Sequence, residues 1–378
     1  MRLRSSFGWV LGALALVSCR PASDPAAELR EAAEPEIPRH ERIVEAARTA
    51  VRLSPDGRQL AFVVEDNGVA NLWLAPVDDP EAARALTSET GSGVGSFRWA
   101  YSSEYLLYRR NDESSPLLAL DVADGSSRSL SGEEAAGELV HLSPRHPGVA
   151  MIAVAAAEPD VLELWRVELA GGDPELIEAG VGVSSWGIDD DLDLRLAFET
   201  VEGGGLRVKQ RAETGDWVDQ SWLPEQGDVS GFLGFDGSSR IAYFLAAHKA
   251  GTVAVIASHV VAGTAELIFQ DRTADVAEVL AHPEARTPQA VAVSGSPRRW
   301  CILDEAVRAD LDYLKSLATG DLEVIDRSLD DTAWLAAIVP PDAPRRFYLY
   351  DREAGEARLV FGGRPLLAPR SRSLRHSG

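Results

Sequence analysis

The chain has 378 residues, of which 45% are hydrophobic and 25% charged, so it is long enough for one large or two medium-sized cores. Its formal net charge of −22 excludes nucleic acid as a partner, because favourable contacts with phosphates need a local excess of Lys and Arg. Acidity of this size is typical of a solvated surface.

The first 19 residues have the layout of a secretory signal, with Arg2 and Arg4 ahead of an apolar run over residues 7–17. That run is too short for a lasting transmembrane helix, which needs about 20 residues. The sequence LVSC at 16–19 resembles a bacterial lipobox, which predicts lipid attachment at Cys19; the alternatives are a plain secretory signal and a chance cysteine. We therefore expect an exported protein, anchored to a membrane of the bacterial cell envelope through its lipid and facing the periplasm. Residues 20–38, rich in Ala, Glu and Pro, would be a flexible tether.

One pattern recurs seven times after the tether: a short apolar strand, a polar turn and a second apolar strand. Equivalent positions in successive repeats lie 43 to 48 residues apart, which is the spacing of β-propeller blades. The seven segments are VRLSPDGRQLAFVV, FRWAYSSEYLLYRR, VHLSPRHPGVAMIAV, WGIDDDLDLRLAFE, FLGFDGSSRIAYFLA, VLAHPEARTPQAVAV and LDDTAWLAAIV.

Several repeats carry a second hairpin in which two alternating strands flank a turn rich in Asp and Gly. They are NLWLAPVDDPEAARALT, PLLALDVADGSSRSLS, ELWRVELAGGDPELIE and RFYLYDREAGEARLVF. Two hairpins make four strands in each repeat, so the fold class predicted is all-β. We expect a seven-bladed β-propeller with four-stranded antiparallel blades over residues 39–367, preceded by the signal peptide and followed by an unstructured tail at 368–378.

One helix is predicted in this body, over residues 304–320 in the sixth repeat. Val307, Leu311, Leu314 and Leu317 recur there at helical spacing. The pattern favours a packed insertion, and a face that docks a partner is the alternative.

No catalytic, cofactor-binding or metal-binding motif is found. Residues 182–187 read GVSSWG, but Trp186 stands where the second glycine of a G-x-S-x-G nucleophile turn belongs. Zinc and P-loop patterns are also missing. The sequence therefore predicts no catalytic residue, no metal ligand and no cofactor.

Some residues that could take part in catalysis or metal binding are interpreted as structural. His141, His146 and His282 lie in or beside repeat turns, so we expect turn roles. The acidic run at 189–191, with Asp193, could ligate calcium but lacks the glycine and glutamate of an EF-hand loop, which favours a solvated turn.

Aromatic residues and the second cysteine also have structural interpretations. Five tryptophans on or beside the predicted strands favour packing between blades over a carbohydrate platform; they are Trp73, Trp99, Trp165, Trp186 and Trp334. Cys301 is the only cysteine besides Cys19, so no disulfide framework is possible, and we expect it to be a small buried hydrophobe.

Three stretches resemble the N-terminal propeller of prolyl oligopeptidase family serine peptidases, in particular the dipeptidyl- and acylaminoacyl-peptidase branch. They are IPRHERIVEAARTAVRLSPDGRQLAFVVEDNGVANLWLAP, FRWAYSSEYLLYRRNDE and FYLYDREAGEARLVFGGRPLL. The resemblance covers residues 37–367 and implies a propeller that lies over the entrance of an α/β-hydrolase domain. It transfers no catalytic residue to this sequence, because few residues follow the last blade. The second repeat also has the shorter NDESSPLLALDV where the family has an aromatic-rich stretch.

Two functions follow as hypotheses. The first is a non-catalytic propeller that gates substrates for a prolyl oligopeptidase-type peptidase, truncated or separated from its hydrolase domain, which could be a separate chain. The second is a stand-alone lipoprotein propeller of the cell envelope, similar to TolB, that binds a peptide or a protein partner.

Overall fold

A computed structural model of the chain describes residues 48–362, except for 113, 133, 134, 203, 204, 213, 221–228, 249, 250 and 296. The predicted signal peptide, Cys19, the tether and the tail at 368–378 lie outside the described residues. The seven sequence repeats are called repeats 1 to 7 below and are defined by their strands.

Alternating strands and polar turns produce antiparallel hairpins throughout repeats 1 to 4. Repeat 1 contains β1 (Arg48–Leu53), β2 (Gln59–Asp66), β3 (Val69–Pro76) and β4 (Arg84–Ala85). Repeat 2 contains β5 (Val94–Trp99), β6 (Tyr105–Arg110), β7 (Leu118–Asp121) and β8 (Ser127–Ser129). Repeat 3 contains β9 (Gly137–Leu142), β10 (Val149–Ala155), β11 (Val161–Glu168) and β12 (Glu175–Val181). Repeat 4 contains β13 (Ser185–Ile188), β14 (Leu194–Thr200), β15 (Leu206–Arg211) and β16 (Trp217–Asp219).

Repeats 5 to 7 follow the same order, with a helical insertion in repeat 6. Repeat 5 contains β17 (Val229–Phe235), β18 (Ile241–Ala247), β19 (Val253–His259) and β20 (Thr264–Phe269). Repeat 6 contains β21 (Val276–Ala281), β22 (Pro288–Val293) and β23 (Arg299–Ile302), then a 3-10 turn (Glu305–Val307) and helix α1 (Arg308–Ser316). Repeat 7 contains β24 (Asp321–Arg327), β25 (Ala333–Val339), β26 (Arg346–Asp351) and β27 (Glu356–Phe361).

The described strands form six hydrogen-bonded sheets; five of these have four or more strands and one has three. The fold is therefore an all-β propeller, and four-stranded antiparallel blades are confirmed for β1–β4, β5–β8, β9–β12 and β24–β27. The prediction of seven separate four-stranded blades is wrong. The sheets of repeats 4 and 5 are merged, and the sheet of repeat 6 has three strands.

Repeats 4 and 5 merge because the edge of β15 is only partly covered. The outer strand β16 has three residues and pairs with β15 at Lys209, Gln210 and Arg211. The opposite end of β15 stays open and pairs with β17 through Leu206 and Val229. This single residue pair joins two four-stranded halves into an eight-stranded sheet.

Helix α1 follows the third strand of repeat 6, where the other repeats have a fourth strand. Val307, Leu311 and Leu314 are buried against strands of repeats 6 and 7. Asp310 accepts a hydrogen bond of 2.8 Å from the Tyr350 hydroxyl, which ties the helix to repeat 7. The predicted packed insertion is thus confirmed, although the helical residues are fewer than the predicted 304–320. No helix within the described residues is long and apolar enough to cross a bilayer.

Apolar side chains fill the spaces between consecutive repeats. Seven buried clusters lie between repeats 1 and 2, 2 and 3, 3 and 4, 4 and 5, 5 and 6, 6 and 7, and 7 and 1. At the seam between repeats 7 and 1 the rings of Phe62 and Phe361 lie 4.8 Å apart. Each repeat therefore covers a face of the next, and the last repeat packs against the first.

Side chains on the third or fourth strand of a repeat also reach the next repeat, in what we call the edge contacts. Arg128 Nε donates to the carbonyl oxygen of Leu169 at 3.0 Å, and Gln210 Nε2 donates to that of Val260 at 3.1 Å. Arg84 donates likewise to Val122, and Arg358 to Val77. The last of these crosses the seam between repeats 7 and 1, so side-chain contacts link these repeats while no described strand is shared between them.

The seam yields a stability prediction. Phe361→Ala removes a ring that is 3% exposed and packed on Phe62, so we expect the free energy of unfolding to fall by about 3 to 5 kcal/mol. Leu359→Ala is the matched control, because Leu359 lies on the same strand but is 47% exposed; its effect should stay within about 0.5 kcal/mol. Urea unfolding monitored by circular dichroism measures both. Equal effects would show that the seam does not limit stability.

Candidate functional site

The first strands of the repeats surround a central channel with a cavity of about 670 Å³. Every repeat contributes lining residues from its first strand or the turn after it. Ionisable lining residues from these strands and turns are Arg52, Arg98, His141, Asp189, Asp190, Glu278, Arg286, Asp326 and Arg327. The channel is therefore polar, although apolar packing surrounds it.

The turn after the first strand has a shared geometry that places side chains at one end of the channel. Six repeats have a residue with positive φ in this turn, and only repeat 1 uses glycine, Gly57, at φ 73°. Repeat 6 has Arg286 there, at φ 56°. Ser103, Leu192, Ser239 and Asp331 take the same conformation in the equivalent turns, so the left-handed residue belongs to the turn geometry that these repeats share.

Arg286 crosses the channel and contacts two other repeats. Its Nη2 donates to the hydroxyl of Tyr101 in repeat 2 at 3.0 Å, and its guanidinium lies 5.5 Å from the centre of that ring. Its Nε lies 3.0 Å from Asp190 Oδ2 in repeat 4. His141 of repeat 3 lies 3.4 Å from the other Asp190 oxygen. These four residues, called the cross-channel network, join repeats 2, 3, 4 and 6 at the turn end of the channel.

Asp190 is the anion at the centre of this network, and it is 5% exposed. Burial raises the pKa of the Asp190 carboxyl, but the adjacent His141 and Arg286 lower it more, with a further contribution from Arg145. The pKa therefore lies below its ordinary value. Asp190 stays ionised at neutral pH and provides a fixed negative charge for Arg286.

The acidic run in repeat 4 forms a turn, as predicted, but the prediction that it is solvated is wrong for two of its residues. Asp189 is 1% exposed, and its Oδ1 accepts hydrogen bonds from the backbone N–H groups of Asp191 and Asp193 at 3.1 and 3.0 Å. Arg195 Nη1 lies 2.9 Å from Asp189 Oδ2. The buried carboxylate is thus used by the turn itself. No group of three or more potential metal-ligating residues occurs among the described residues.

A second channel carboxylate, Asp326, lies between repeats 7 and 1. Its Oδ2 accepts a hydrogen bond of 3.0 Å from the backbone N–H of Leu53, and Arg52 Nη1 lies 3.4 Å from its Oδ1. Burial raises the pKa of Asp326 to about 6, although Arg52 acts in the opposite direction. This carboxylate therefore titrates closer to neutral pH than an exposed aspartate.

Glu278 is the third channel carboxylate with a perturbed pKa. Arg298 Nη1 lies 2.9 Å from Glu278 Oε2 and 3.7 Å from an oxygen of Glu323, so two carboxylates share one guanidinium. Burial raises the pKa of Glu278 to about 7; Arg298 lowers it and the like charge of Glu323 raises it further. Arg345 pairs with the other Glu323 oxygen at 2.8 Å.

The histidine interpretations are confirmed in part. The Nδ1 of His282 accepts hydrogen bonds from two backbone N–H groups of its turn, and the His146 backbone N–H closes a turn with Ser143. His141 instead lies on β9 and faces Asp190, so a turn role is wrong for it.

The other interpretations have mixed outcomes. Each of the five tryptophans belongs to a cluster between repeats, which confirms the packing role. Cys301 is only half-buried, on the third strand of repeat 6, and its sulfur accepts a hydrogen bond of 3.1 Å from Arg299, so the prediction of full burial is wrong. The proposed lipid site, Cys19, lies outside the described residues.

Sequence reasoning missed Tyr101, Arg286, Glu278 and Asp326 as channel residues. A signal existed for Glu278, which interrupts the apolar first strand VAEVLA, whereas Asp326 lies in DLEVIDR, where several charged residues hide it. No local signal could pair Arg286 with Tyr101, which are 185 residues apart.

The chain is 34% identical over 328 residues to dipeptidyl aminopeptidase BIII of Pseudoxanthomonas mexicana, a match that covers 85% of the chain and 47% of that protein. It is 24% identical over 356 residues to dipeptidyl peptidase family member 6 of Caenorhabditis elegans, covering 88% and 48% respectively. The chain thus spans about half the length of the curated relatives it matches. No family model matches the sequence.

A solved structure from a study of two prolyl endopeptidases superimposes with a TM-score of 0.60 at 12% identity, covering 88% of this chain and 53% of that one. Sheets around a polar central channel define the chain as a β-propeller domain. The similarity to dipeptidyl aminopeptidase BIII, together with this fold, supports the assignment of the chain as the N-terminal propeller of the prolyl oligopeptidase family.

The cross-channel network yields a prediction with a pH dependence. Arg286→Met leaves Asp190 buried without its nearest guanidinium, so we expect the free energy of unfolding at pH 7 to fall by roughly 3 kcal/mol. In the wild type, the stability that comes from the lowered Asp190 pKa is present above the pKa of the unfolded chain and is lost only below it, as the pH falls through the folded pKa. In the variant, burial without Arg286 favours the protonated carboxyl of Asp190, so a falling pH removes the penalty of the unpaired charge. The difference between wild type and variant, measured by urea unfolding, should therefore shrink between pH 7 and pH 4.

The control is the double variant Arg286→Met/Asp190→Asn, which has no buried carboxylate at this position. It should be more stable than Arg286→Met alone at pH 7. A difference between wild type and Arg286→Met that is independent of pH would rule out the electrostatic role of Arg286.

Glu278 yields a prediction of the opposite sign. Because its folded pKa of about 7 lies above the ordinary value of 4.5, its ionised form costs the fold free energy at high pH, and that cost disappears as the pH falls. The stability of the wild type relative to Glu278→Gln should therefore rise by about 1 to 3 kcal/mol between pH 8 and pH 5. Urea unfolding at both pH values measures this. The exposed Glu158→Gln serves as control and should show no such change; a flat profile for Glu278→Gln would contradict the assignment.

Proposed function

We propose that this propeller controls the access of peptides to the active site of a peptidase, through its central channel, and does not itself cleave them. The observation that carries the proposal is the channel, which has polar walls built from every repeat and a network across one end. The catalytic residues would lie on an α/β-hydrolase domain, provided by further polypeptide or by a separate chain.

We also propose that the seven repeats form one seven-membered ring. Support comes from the seven apolar clusters, each between consecutive repeats, and from the single residue pair that joins the two halves of the eight-stranded sheet. Helix α1 would take the place of an outer strand in the sixth member of the ring.

Strand direction indicates where the hydrolase domain would bind. In an antiparallel sheet of four sequential strands, the start of the first strand and the end of the fourth lie at the same end. The start of β1 and the end of β27 therefore share one face of the ring, opposite the turns that carry the cross-channel network. We place the hydrolase domain at the face of the chain ends, so that the network would lie at the solvent end of the channel.

The substrate class is proposed from the relatives. One curated relative is named a dipeptidyl aminopeptidase and the other a dipeptidyl peptidase family member, so we propose that the assembled enzyme removes dipeptides from the N-termini of peptides. We propose in addition that the protein is exported and anchored by a lipid at Cys19, on the sequence pattern at 1–19 alone.

Restricted access can be measured by cysteine labelling in a background of Cys19→Ser and Cys301→Ser. The variant Val279→Cys places a thiol in the channel wall, and Ala262→Cys places one in an exposed outer turn. We expect the channel thiol to react with a maleimide on a short peptide but at least roughly 100-fold more slowly with a maleimide on a folded protein, because buried thiols react only when the reagent can reach them. The exposed thiol should react with both reagents at similar rates. Mass spectrometry follows the labelling.

Equal accessibility of the two thiols to the folded protein reagent would overturn the gating role. In a separate assay with dipeptidyl p-nitroanilides, the chain alone should show no turnover; activity blocked by a serine-directed inhibitor would overturn the non-catalytic assignment.

A further inference from the structure

The channel lining contains one guanidinium that has no carboxylate partner of its own among the described residues. Its buried or half-buried carboxylates each have a cation within 3.4 Å. These pairs are Asp189 with Arg195, Asp190 with Arg286, Glu278 with Arg298, and Asp326 with Arg52. Arg327, also in the lining, pairs with Asp331. Arg98 is the remaining lining cation with a permanent charge.

Arg98 lies on β5 and its side chain is exposed towards the channel that it lines. It forms no ion pair or hydrogen bond with another described side chain. Burial raises the pKa of Asp326, and the charges of Arg52 and, to a smaller extent, Arg98 lower it. The charge of one carboxylate is thus shared between two guanidinium groups.

Asp326 is already engaged by other groups. Its Oδ2 accepts the Leu53 N–H and its Oδ1 faces Arg52, so neither oxygen is left wholly for Arg98. Arg52 is itself held loosely, with contacts of 3.4 Å to Asp326 and to the Ile325 carbonyl, and its side chain is 43% exposed. Both guanidinium groups can therefore offer N–H donors to a ligand in the channel.

The wall of repeat 5 leaves room for such a ligand. Arg52, Arg98 and Gly234 are each the penultimate residue of their first strand. Gly234 also lines the cavity, and the space beside its Cα holds no atom within 4 Å of where a side chain would begin. Phe232 and Leu233 next to it provide apolar contact.

We infer that Arg98, assisted by Arg52, binds the carboxylate of a peptide inside the channel. The planar guanidinium forms paired hydrogen bonds with a carboxylate, and its single positive charge matches a monoanion better than a phosphate dianion. In a protein of net charge −22, this is a local cationic site that selects for acidic groups. The inference rests on the proposed access of peptides to the channel. The carboxylate can belong to the peptide C-terminus or to an Asp or Glu side chain.

Isothermal titration calorimetry of the full chain with three hexapeptides tests the inference. All share one uncharged sequence: the first has a free C-terminus, the second an amidated C-terminus, and the third an amidated C-terminus with one Glu. The first should bind at least about tenfold more tightly than the second, as expected for a charge-assisted hydrogen bond. Recovery of affinity by the third would identify a side-chain carboxylate as an accepted source, and no recovery would restrict the site to C-termini.

The variant Arg98→Gln should lose about tenfold in affinity for the free C-terminus and bind the amidated peptide unchanged. Arg240→Gln is the matched control, because Arg240 is exposed and outside the channel; it should bind all three peptides like the wild type. Equal binding of the free and amidated peptides, or an Arg98→Gln variant that binds like the wild type, would overturn the inference.

Phenylglyoxal modification separates this outcome from a failure of the proposed function. An unpaired guanidinium should react, and acetate should slow the reaction at Arg98, as read by peptide mass spectrometry. If acetate protects Arg98 while none of the hexapeptides binds, peptide access is overturned, and with it the peptide as the ligand. If acetate does not protect Arg98 while the short maleimide peptide still reaches the Val279→Cys thiol, only the inference is overturned.

Discussion

Each sheet in this protein has apolar residues on both faces, and this constraint determines the architecture. On β2, Leu60 and Phe62 pack towards repeat 7, whereas Ala61 and Val63 pack towards repeat 2. On β25, Leu335 packs towards repeat 1 and Trp334 towards repeat 6. A sheet of this kind has no face for water, so it needs a neighbour on each side, and a linear row of such sheets would leave two apolar faces exposed. Closure of repeat 7 onto repeat 1 removes both.

Much of this arrangement could be read from the sequence, because local patterns specify local hairpins. The turn SPDG at 54–57 and the alternating strands around it predict the first hairpin of repeat 1, and the same argument holds for the first hairpins of repeats 2 to 6. In repeat 7 the recurring segment begins at the turn and does not include the first strand, DLEVIDR, because the charged residues of that strand obscure the alternation.

Other features depend on contacts that no local pattern encodes. The merging of repeats 4 and 5 follows from how far β16 extends along β15, which is a matter of one or two residue pairs. Asp189 and Asp190 are buried, although aspartate side chains are usually solvated. Partners from distant strands and from the turn backbone compensate for their lost hydration. A run of aspartates on its own is typical of an exposed turn, and its environment becomes visible only in three dimensions.

Burying charged groups in the middle of an apolar ring costs free energy, and ion pairs in the channel limit that cost. Most charged groups that line it are held within 3.4 Å of an opposite charge. Where burial exceeds compensation, as at Glu278 and Asp326, the pKa rises towards neutrality. The channel wall therefore combines fixed ion pairs with carboxylates whose charge depends on pH.

The edge contacts affect which positions of the repeats can change in sequence. In each of them a side chain of one repeat donates to a backbone carbonyl of the next, at Val77, Val122, Leu169 or Val260. Every amino acid has a backbone carbonyl oxygen, so any residue can stand at the acceptor position. Only the donor side chain must be retained. Neighbouring repeats can then diverge in sequence without losing these contacts, as long as repeats 1, 2, 4 and 7 each keep the long polar side chain that donates.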